Sequence, residues 1–212
     1  MYHKATQAKK KDCTSQQGFT LVEMLVSIGI FVIVTTIAVY NQGRFNSSVL
    51  LTNLAYEIAL SMRQAQFYGI TVKGITSTIT SKTTFEGGYG VHFDANTTQY
   101  TLFEDRDPSP ENGLLESNGL FDSGEALEAF SIKKGNKVGK ICLTSGLSTS
   151  CSFTSVDISF VRPNPDSRIL SGGVSFGKAE ICVSSSQNTY RKILVDLSGQ
   201  ISVTLDSTSL CD

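Results

Sequence analysis

From Phe19 to Tyr40 the chain reads FTLVEMLVSIGIFVIVTTIAVY, 22 residues with a single charge, Glu23. At about 1.5 Å per residue a helix of this length spans roughly 33 Å, enough to cross the hydrocarbon core of a bilayer. The segment ahead of it is basic, with Lys4, Lys9, Lys10 and Lys11 against Asp12. Positive charge on that side holds residues 1–18 in the cytoplasm and directs the remainder outward. A secretory signal carries its small-residue cleavage site after the apolar run. Here the junction of that kind, Gly18-Phe19, precedes it, so the apolar segment is expected to be kept. A carboxylate at the centre of a spanning helix costs roughly 2.5–3.5 kcal/mol, and less near the end. Glu23 either sits in the first turn at the interface, where the helix dipole favours an anion, or pairs with an ammonium created at Phe19 by a cut after Gly18. Spacing alone leaves both open.

The residues themselves go further. Gly18-Phe19-Thr20-Leu21-Val22-Glu23-Met24, with a short Lys-rich leader before it and an apolar run after it, resembles the class III signal of type IV pilins and pseudopilins. The resemblance implies cleavage after Gly18 by a prepilin peptidase, N-methylation of Phe19 and a role for Glu23 in filament assembly. Many pilins carry a Pro near the end of the apolar run, whereas the first Pro here is Pro108. Any local helix melting during assembly would then fall to Gly29 or Gly43.

Beyond Asn41-Gln42-Gly43-Arg44, the residues Leu51, Leu54, Ala55, Ile58, Met62, Ala65 and Gly69 recur at spacings of three and four, one face of an amphipathic helix. Its end is expected near Val72-Lys73, with Gly74 as the stop. No Pro interrupts residues 19–73, so one long helix is expected, a transmembrane half over 19–40 and an amphipathic half over 41–73. After Gly74 the texture is β, with Thr, Ser, Val, Ile and aromatic runs between turn residues. Tyr89–Phe93 and Gln99–Phe103 flank Asp94-Ala95-Asn96-Thr97 as a hairpin. Further strands are expected at Leu127–Ile132, Val138–Leu143, Phe153–Val161, Ala179–Val183, Tyr190–Asp196 and Ile201–Leu205. The fold class is therefore α+β, a long N-terminal helix packed on a β-rich head spanning 74–212. Leu54–Gly69, the Gly88–Val91 strand and the closing hairpin through Gly199 look like the GspH/FimT type of minor pilin, in patches rather than across the whole head.

Residues 19–212 hold 14 basic and 18 acidic residues, a net charge of −4. No Lys or Arg follows Lys192, so nucleic-acid binding, which needs dense positive charge, is not indicated. Cys13 lies in the leader; Cys142, Cys151, Cys182 and Cys211 remain after its removal. An even set of four suits an oxidising, extracytoplasmic compartment. Three connectivities are open to four cysteines. Cys142 and Cys151 flank Leu143–Ser150, whose Ser, Thr and Gly suit a hairpin turn, which leaves Cys182 for Cys211.

Catalytic signals are weak. His92 is the one histidine after the leader, and no elbow motif surrounds any Ser; a structural histidine is the favoured reading. Gly87-Gly88-Tyr89-Gly90 lacks the spacing of a phosphate loop, and no CxxC pair offers a zinc site. Lys133, Lys134, Lys137 and Lys140 read as a solvated turn. The chain is not expected to be an enzyme, and no cofactor is implied beyond one candidate. Between Glu104 and Glu128 lie eight carboxylates against Arg106, a density that suits Ca²⁺ if it is not simply solvated. Asp105, Asp107 and Ser109 alternate, and Glu116 stands where a calcium loop places its bidentate acid, with Asp122 and Glu125 as a second cluster. Pro110 occupies the sixth position instead of Gly, and an exposed acidic loop is the plainer reading.

The expected function is that of a structural subunit of a type IV pilus-like filament. It would be stored as a single-pass protein of the cytoplasmic membrane, with its head extracytoplasmic, and reach the cell surface on assembly. Its partners would be the prepilin peptidase, other pilin subunits and a membrane assembly platform. The alternatives are a type II secretion pseudopilin and a membrane-anchored extracytoplasmic binding or enzymatic domain.

Overall fold

The structure is a computed structural model that describes residues 18–71, 75–76, 83–84, 87–108, 115–204 and 211, the side chains of 41–45, 75–76, 83–84, 107–108 and 115–116 excepted. The chain divides into two compact units, residues 1–43 and 44–212. The fold is α+β: one helix, α1 (Leu21–Ile70), precedes β strands throughout. The helix starts two residues after the expected Phe19 and stops at Ile70, with Thr71 in a turn; the proposed stop at 72–74 lies outside the described residues.

In the first unit α1 is apolar on every side, and no residue between Leu21 and Tyr40 is buried. In the second unit the helix has an inner and an outer face. Leu51, Ala55, Ile58, Met62 and Ala65 are fully buried, at the spacings of three and four that bring residues onto one side of a helix. Gly69 continues that row and lies against Phe160, whose backbone carbonyl would overlap any Cβ at position 69.

The strands are β1 (Ile75–Thr76), β2 (Thr83–Thr84), β3 (Gly88–Asp94), β4 (Gln99–Asp105), β5 (Asp107–Pro108), β6 (Leu115–Glu116), β7 (Ala126–Ser131), β8 (Lys137–Ser145), β9 (Ser148–Phe153), β10 (Ser155–Phe160), β11 (Ser167–Ser171), β12 (Val174–Ser175), β13 (Lys178–Ser184), β14 (Tyr190–Asp196) and β15 (Ile201–Thr204). Two antiparallel sheets dominate, ordered β12-β11-β10-β3-β4-β7 and β15-β14-β13-β8-β9; β1 pairs with β2 and β5 with β6 as small ribbons. Alternation sets the inner faces. Tyr89, Val91 and Phe93 of β3, Val156, Ile158 and Phe160 of β10, and Ile181 and Val183 of β13 join the inner face of α1 in one buried cluster.

One expected strand proves to be two. Residues 153–161 were expected to form one run, but β9 ends at Phe153 in one sheet and β10 begins at Ser155 in the other. The apolar positions explain the break: Val156, Ile158 and Phe160 share one parity, and Phe153 has the other. A continuous strand would put Phe153 on the wrong face. Thr154 makes the crossing, and its carbonyl accepts from the Ala95 amide at 2.7 Å.

Polar contacts fix the outer turns of the helix to the sheets. Arg191 on β14 donates to Thr52 Oγ1 at 3.0 Å and Ser48 Oγ at 2.8 Å. Gln66 donates to the carbonyls of Pro165 and Gly199 at 2.9 and 3.1 Å. Gly199 has φ +74°, and a Cβ there would strike Pro165, so the turn between β14 and β15 needs glycine for both reasons.

Candidate functional site

The residues around the Gly18–Phe19 junction form the first element of the site. Gly18, Phe19 and Thr20 are exposed and precede the helix. Thr20 is the N-cap: its Oγ1 accepts from the Glu23 amide at 3.2 Å, and its carbonyl accepts from the Met24 amide at 3.1 Å. That places Glu23 in the first turn, where the unpaired amides and the macrodipole favour a carboxylate. The Thr20-Leu21-Val22-Glu23 spacing is that of a capping box, a signal in the sequence that the reading of a helix from Phe19 overlooks. Its consequence is chemical. The Gly18–Phe19 peptide lies outside the helix, so its carbonyl is not committed to the helical ladder. Among the described residues a Cβ at Gly18 would meet nothing within 4 Å; packing against them does not demand glycine there.

The second element is the apolar surface that follows. Leu21–Tyr40 has a mean hydropathy of 2.4 and length enough to cross a membrane. Its few hydroxyls are turned inward on the backbone. Ser27 donates to the Glu23 carbonyl at 2.7 Å, Thr35 to Phe31 at 2.8 Å and Thr36 to Val32 at 2.7 Å. Hydroxyls satisfied in this way present no free donor to an apolar surrounding.

A third element lies on the head part of α1, on the side away from the core. Val49, Tyr56, Leu60, Phe67 and Ile70 are each 40–69% exposed. With Asn53 and Arg63 they fall at alternating steps of four and three, the a/d spacing of a helix seam. Two seams therefore run along this part of the helix, one buried in the head and one facing solvent.

The head's cysteines are bonded Cys142–Cys151 and Cys182–Cys211, with sequence separations of 9 and 29. The first ties the arms of the β8–β9 hairpin. The second ties Cys211, beyond the last strand, to β13.

His92 lies on the outer face of the larger sheet, held between two carboxylates. Its Nδ1 is 2.6 Å from Asp157 Oδ1 and its Nε2 is 3.3 Å from Asp94 Oδ2. Burial alone would lower its pKa, but the two carboxylates outweigh it and the value is raised above 6.5. Its ring lies 4.8 Å from that of Phe121, which also packs 5.5 Å from Phe103. Both ring nitrogens are taken up by carboxylates, so the imidazole has a structural role on this face of the sheet.

The proposed calcium ligands serve a different arrangement where their side chains are described. Asp105 is buried and accepts from Ser117 Oγ, Asn118 N and Gly119 N at 2.5, 3.1 and 2.7 Å. Glu125 accepts from the Arg106 and Asp122 amides at 2.8 and 2.9 Å. The two carboxylates thus fasten the segment around Phe121 to the sheet, each by backbone donors. Asp107, Ser109 and Glu116 have side chains outside the described set. Among the described residues no three His, Cys, Asp or Glu side chains are gathered to hold a metal ion.

Residues 13–39 match the model of the prokaryotic N-terminal methylation motif, the class III signal of type IV pilins and pseudopilins. The match marks a type IV pilin-like or pseudopilin precursor. It stops short of the head residues on which the GspH/FimT resemblance rests. No curated protein and no solved structure matches the chain.

Proposed function

We propose that the chain is the precursor of a structural subunit of a type IV pilus-like filament. A prepilin peptidase cuts after Gly18, Phe19 becomes the methylated N-terminus, and the apolar helix holds the subunit in the cytoplasmic membrane with its head outside. A membrane assembly platform then transfers it into a filament with other pilin subunits. The observation that carries this reading is the methylation motif set on a helix of which no part is buried over 20 residues. Such a surface cannot remain in water: at about 25 cal/mol per Å² of apolar area, burying it in lipid or against other helices dominates every other term.

Three features support the steps in turn. The junction lies before the helix, where a peptidase can reach an uncommitted backbone. Glycine there has no role in packing against the described residues, which supports recognition as the reason for it. Glu23, in the first turn, is poised to pair with an ammonium at Phe19, of its own chain or of a neighbouring subunit already assembled. The outer seam from Val49 to Ile70 gives the head part of the helix a second surface suited to helix packing.

The test is incorporation. Glu23→Ala should leave membrane insertion and cleavage intact while depleting the subunit from sheared filaments. Wild-type levels of that variant in filaments would remove the pairing from the account. Absence of the wild-type chain from any filament would remove the proposal.

A further inference from the structure

The smaller sheet ends on β9, and among the described residues no strand pairs with its outer side. An open edge offers unpaired amides and carbonyls to any other strand, and proteins guard such edges with charge, proline, brevity or bulges. The other edges are guarded. β12 is two residues long. β7 carries Glu128 and a register shift against β4. β15 is four residues long and its Ile201 carbonyl accepts from Arg63 at 3.2 Å. The register shift in β9 falls between the pairs Ile141–Phe153 and Leu143–Ser150, so Ser148–Ser150 stays regular. No charge occurs from Ile141 to Val156, 16 residues and the longest such run after Arg44.

The hairpin geometry shows which groups face out. Ser145 pairs with Ser148 across the two-residue turn Gly146-Leu147, with Gly146 at φ +60°. The pair flanking such a turn exchanges hydrogen bonds, and the next pair, Thr144–Thr149, does not. In agreement, the Thr144 carbonyl accepts from Gly177 N at 2.8 Å on the side away from β9. The N–H and C=O of Thr149 therefore point off the sheet edge. Leu147, at the tip, is fully exposed, and the Cys142–Cys151 bond behind it ties the two arms of the hairpin.

We propose that β9 is a homotypic contact, pairing antiparallel with the same strand of a second copy about a two-fold axis at Thr149. A second copy is the occupant that the charges favour. Two heads, each with 14 basic and 17 acidic residues over 44–212 and a net charge of −3, repel, and this edge is where they can meet without opposing like charges. The register is also self-complementary, as a two-fold contact requires. With Thr149 opposite its counterpart, Leu147 of each copy lies beside the Cys142–Cys151 disulfide of the other. So short a strand buries far less than the roughly 1,000 Å² of a lasting complex. The contact therefore works between many copies held on facing surfaces, where multivalency multiplies it. It requires that the helix be held in a membrane but does not depend on filament assembly.

The test uses the full-length protein reconstituted in phosphatidylcholine vesicles, with clustering read by light scattering. Wild-type vesicles should cluster, and Thr149→Lys or Thr149→Glu should each abolish clustering by placing like charges on the axis. Mixing the Lys and Glu populations should restore it, a rescue that a folding defect cannot mimic. Failure of wild-type vesicles to cluster, undiminished clustering by Thr149→Lys, or no rescue on mixing would each overturn the proposal. None of these outcomes bears on whether the chain enters filaments.

Discussion

Residues 21–40 and residues 51–65 belong to one helix and have opposite relations to their surroundings. In the first stretch every described side chain but one is exposed, although nearly all are apolar. In the second a row of residues is fully buried and the polar ones face out or bind the sheets. Buried residues such as Met62 and Ile58 are accounted for by contacts within the chain. Gly18 and the apolar side chains from Leu21 to Tyr40 are not accounted for by packing against the described residues; on the proposed function a peptidase, lipid and other helices account for them.

The contrast can be broken at its sharpest point by substituting Gly18 with a bulky residue. The expected result is loss of the Phe19 terminus with the melting temperature of the head unchanged, read by N-terminal sequencing and thermal unfolding. A shifted melting temperature would show that Gly18 has a structural role after all. The reverse substitution, Met62→Ala, should destabilise the head by about 2–5 kcal/mol, as core truncations do, and leave cleavage unaffected. Impaired cleavage of a folded Met62→Ala chain would blur the two regions.

The disulfides sharpen the comparison within the head. On the chain-entropy model, removing Cys182–Cys211 should cost about 3.6 kcal/mol and removing Cys142–Cys151 about 2.6 kcal/mol. Denaturant titration of the paired Cys→Ala variants checks the order. Smaller effects should come from pH. Burial would raise the Glu180 pKa, but hydrogen bonds from Lys178 and Lys192 overcome it and hold it below 4.5. That contribution is present above pH 4.5 and lost as pH falls through the folded value. His92 has the opposite sign: its raised pKa stabilises below pH 6.5, and the benefit goes as pH rises through the folded value. Urea midpoints across pH 3–9 should decline at both ends, with His92→Gln removing the alkaline decline alone.

The parts of the molecule that the sequence makes legible are those whose signal is local. The helix face from Leu51 to Gly69 follows from spacing, as do the hairpin at Asp94–Thr97 and the strand Tyr190–Asp196. The Cys142–Cys151 bond follows from a short turn-rich loop. The junction at Gly18-Phe19 and the span after it are legible because a fixed motif and a membrane-length run coincide. Elements set by distant partners are not. β11 buries Ile169 against β10, and the adjacent pair Ile169-Leu170 between Arg168 and Ser171 gives no alternation to read. The crossing at Thr154 is visible only as a change of parity. Asp105 and Glu125 look like metal ligands in a list of carboxylates. In the fold they accept from the backbone of the segment that carries Phe121, an arrangement no spacing rule encodes.

The central claim is that residues 1–18 are a leader and that the chain begins to act at Phe19. Intact-mass analysis with N-terminal sequencing of the protein taken from the membrane of its native host tests it most directly. The account predicts a chain of residues 19–212, heavier by one methyl group on the Phe19 amine and lighter by four hydrogens for two disulfides. A chain that keeps residues 1–18, or one cut beyond Tyr40, would contradict it.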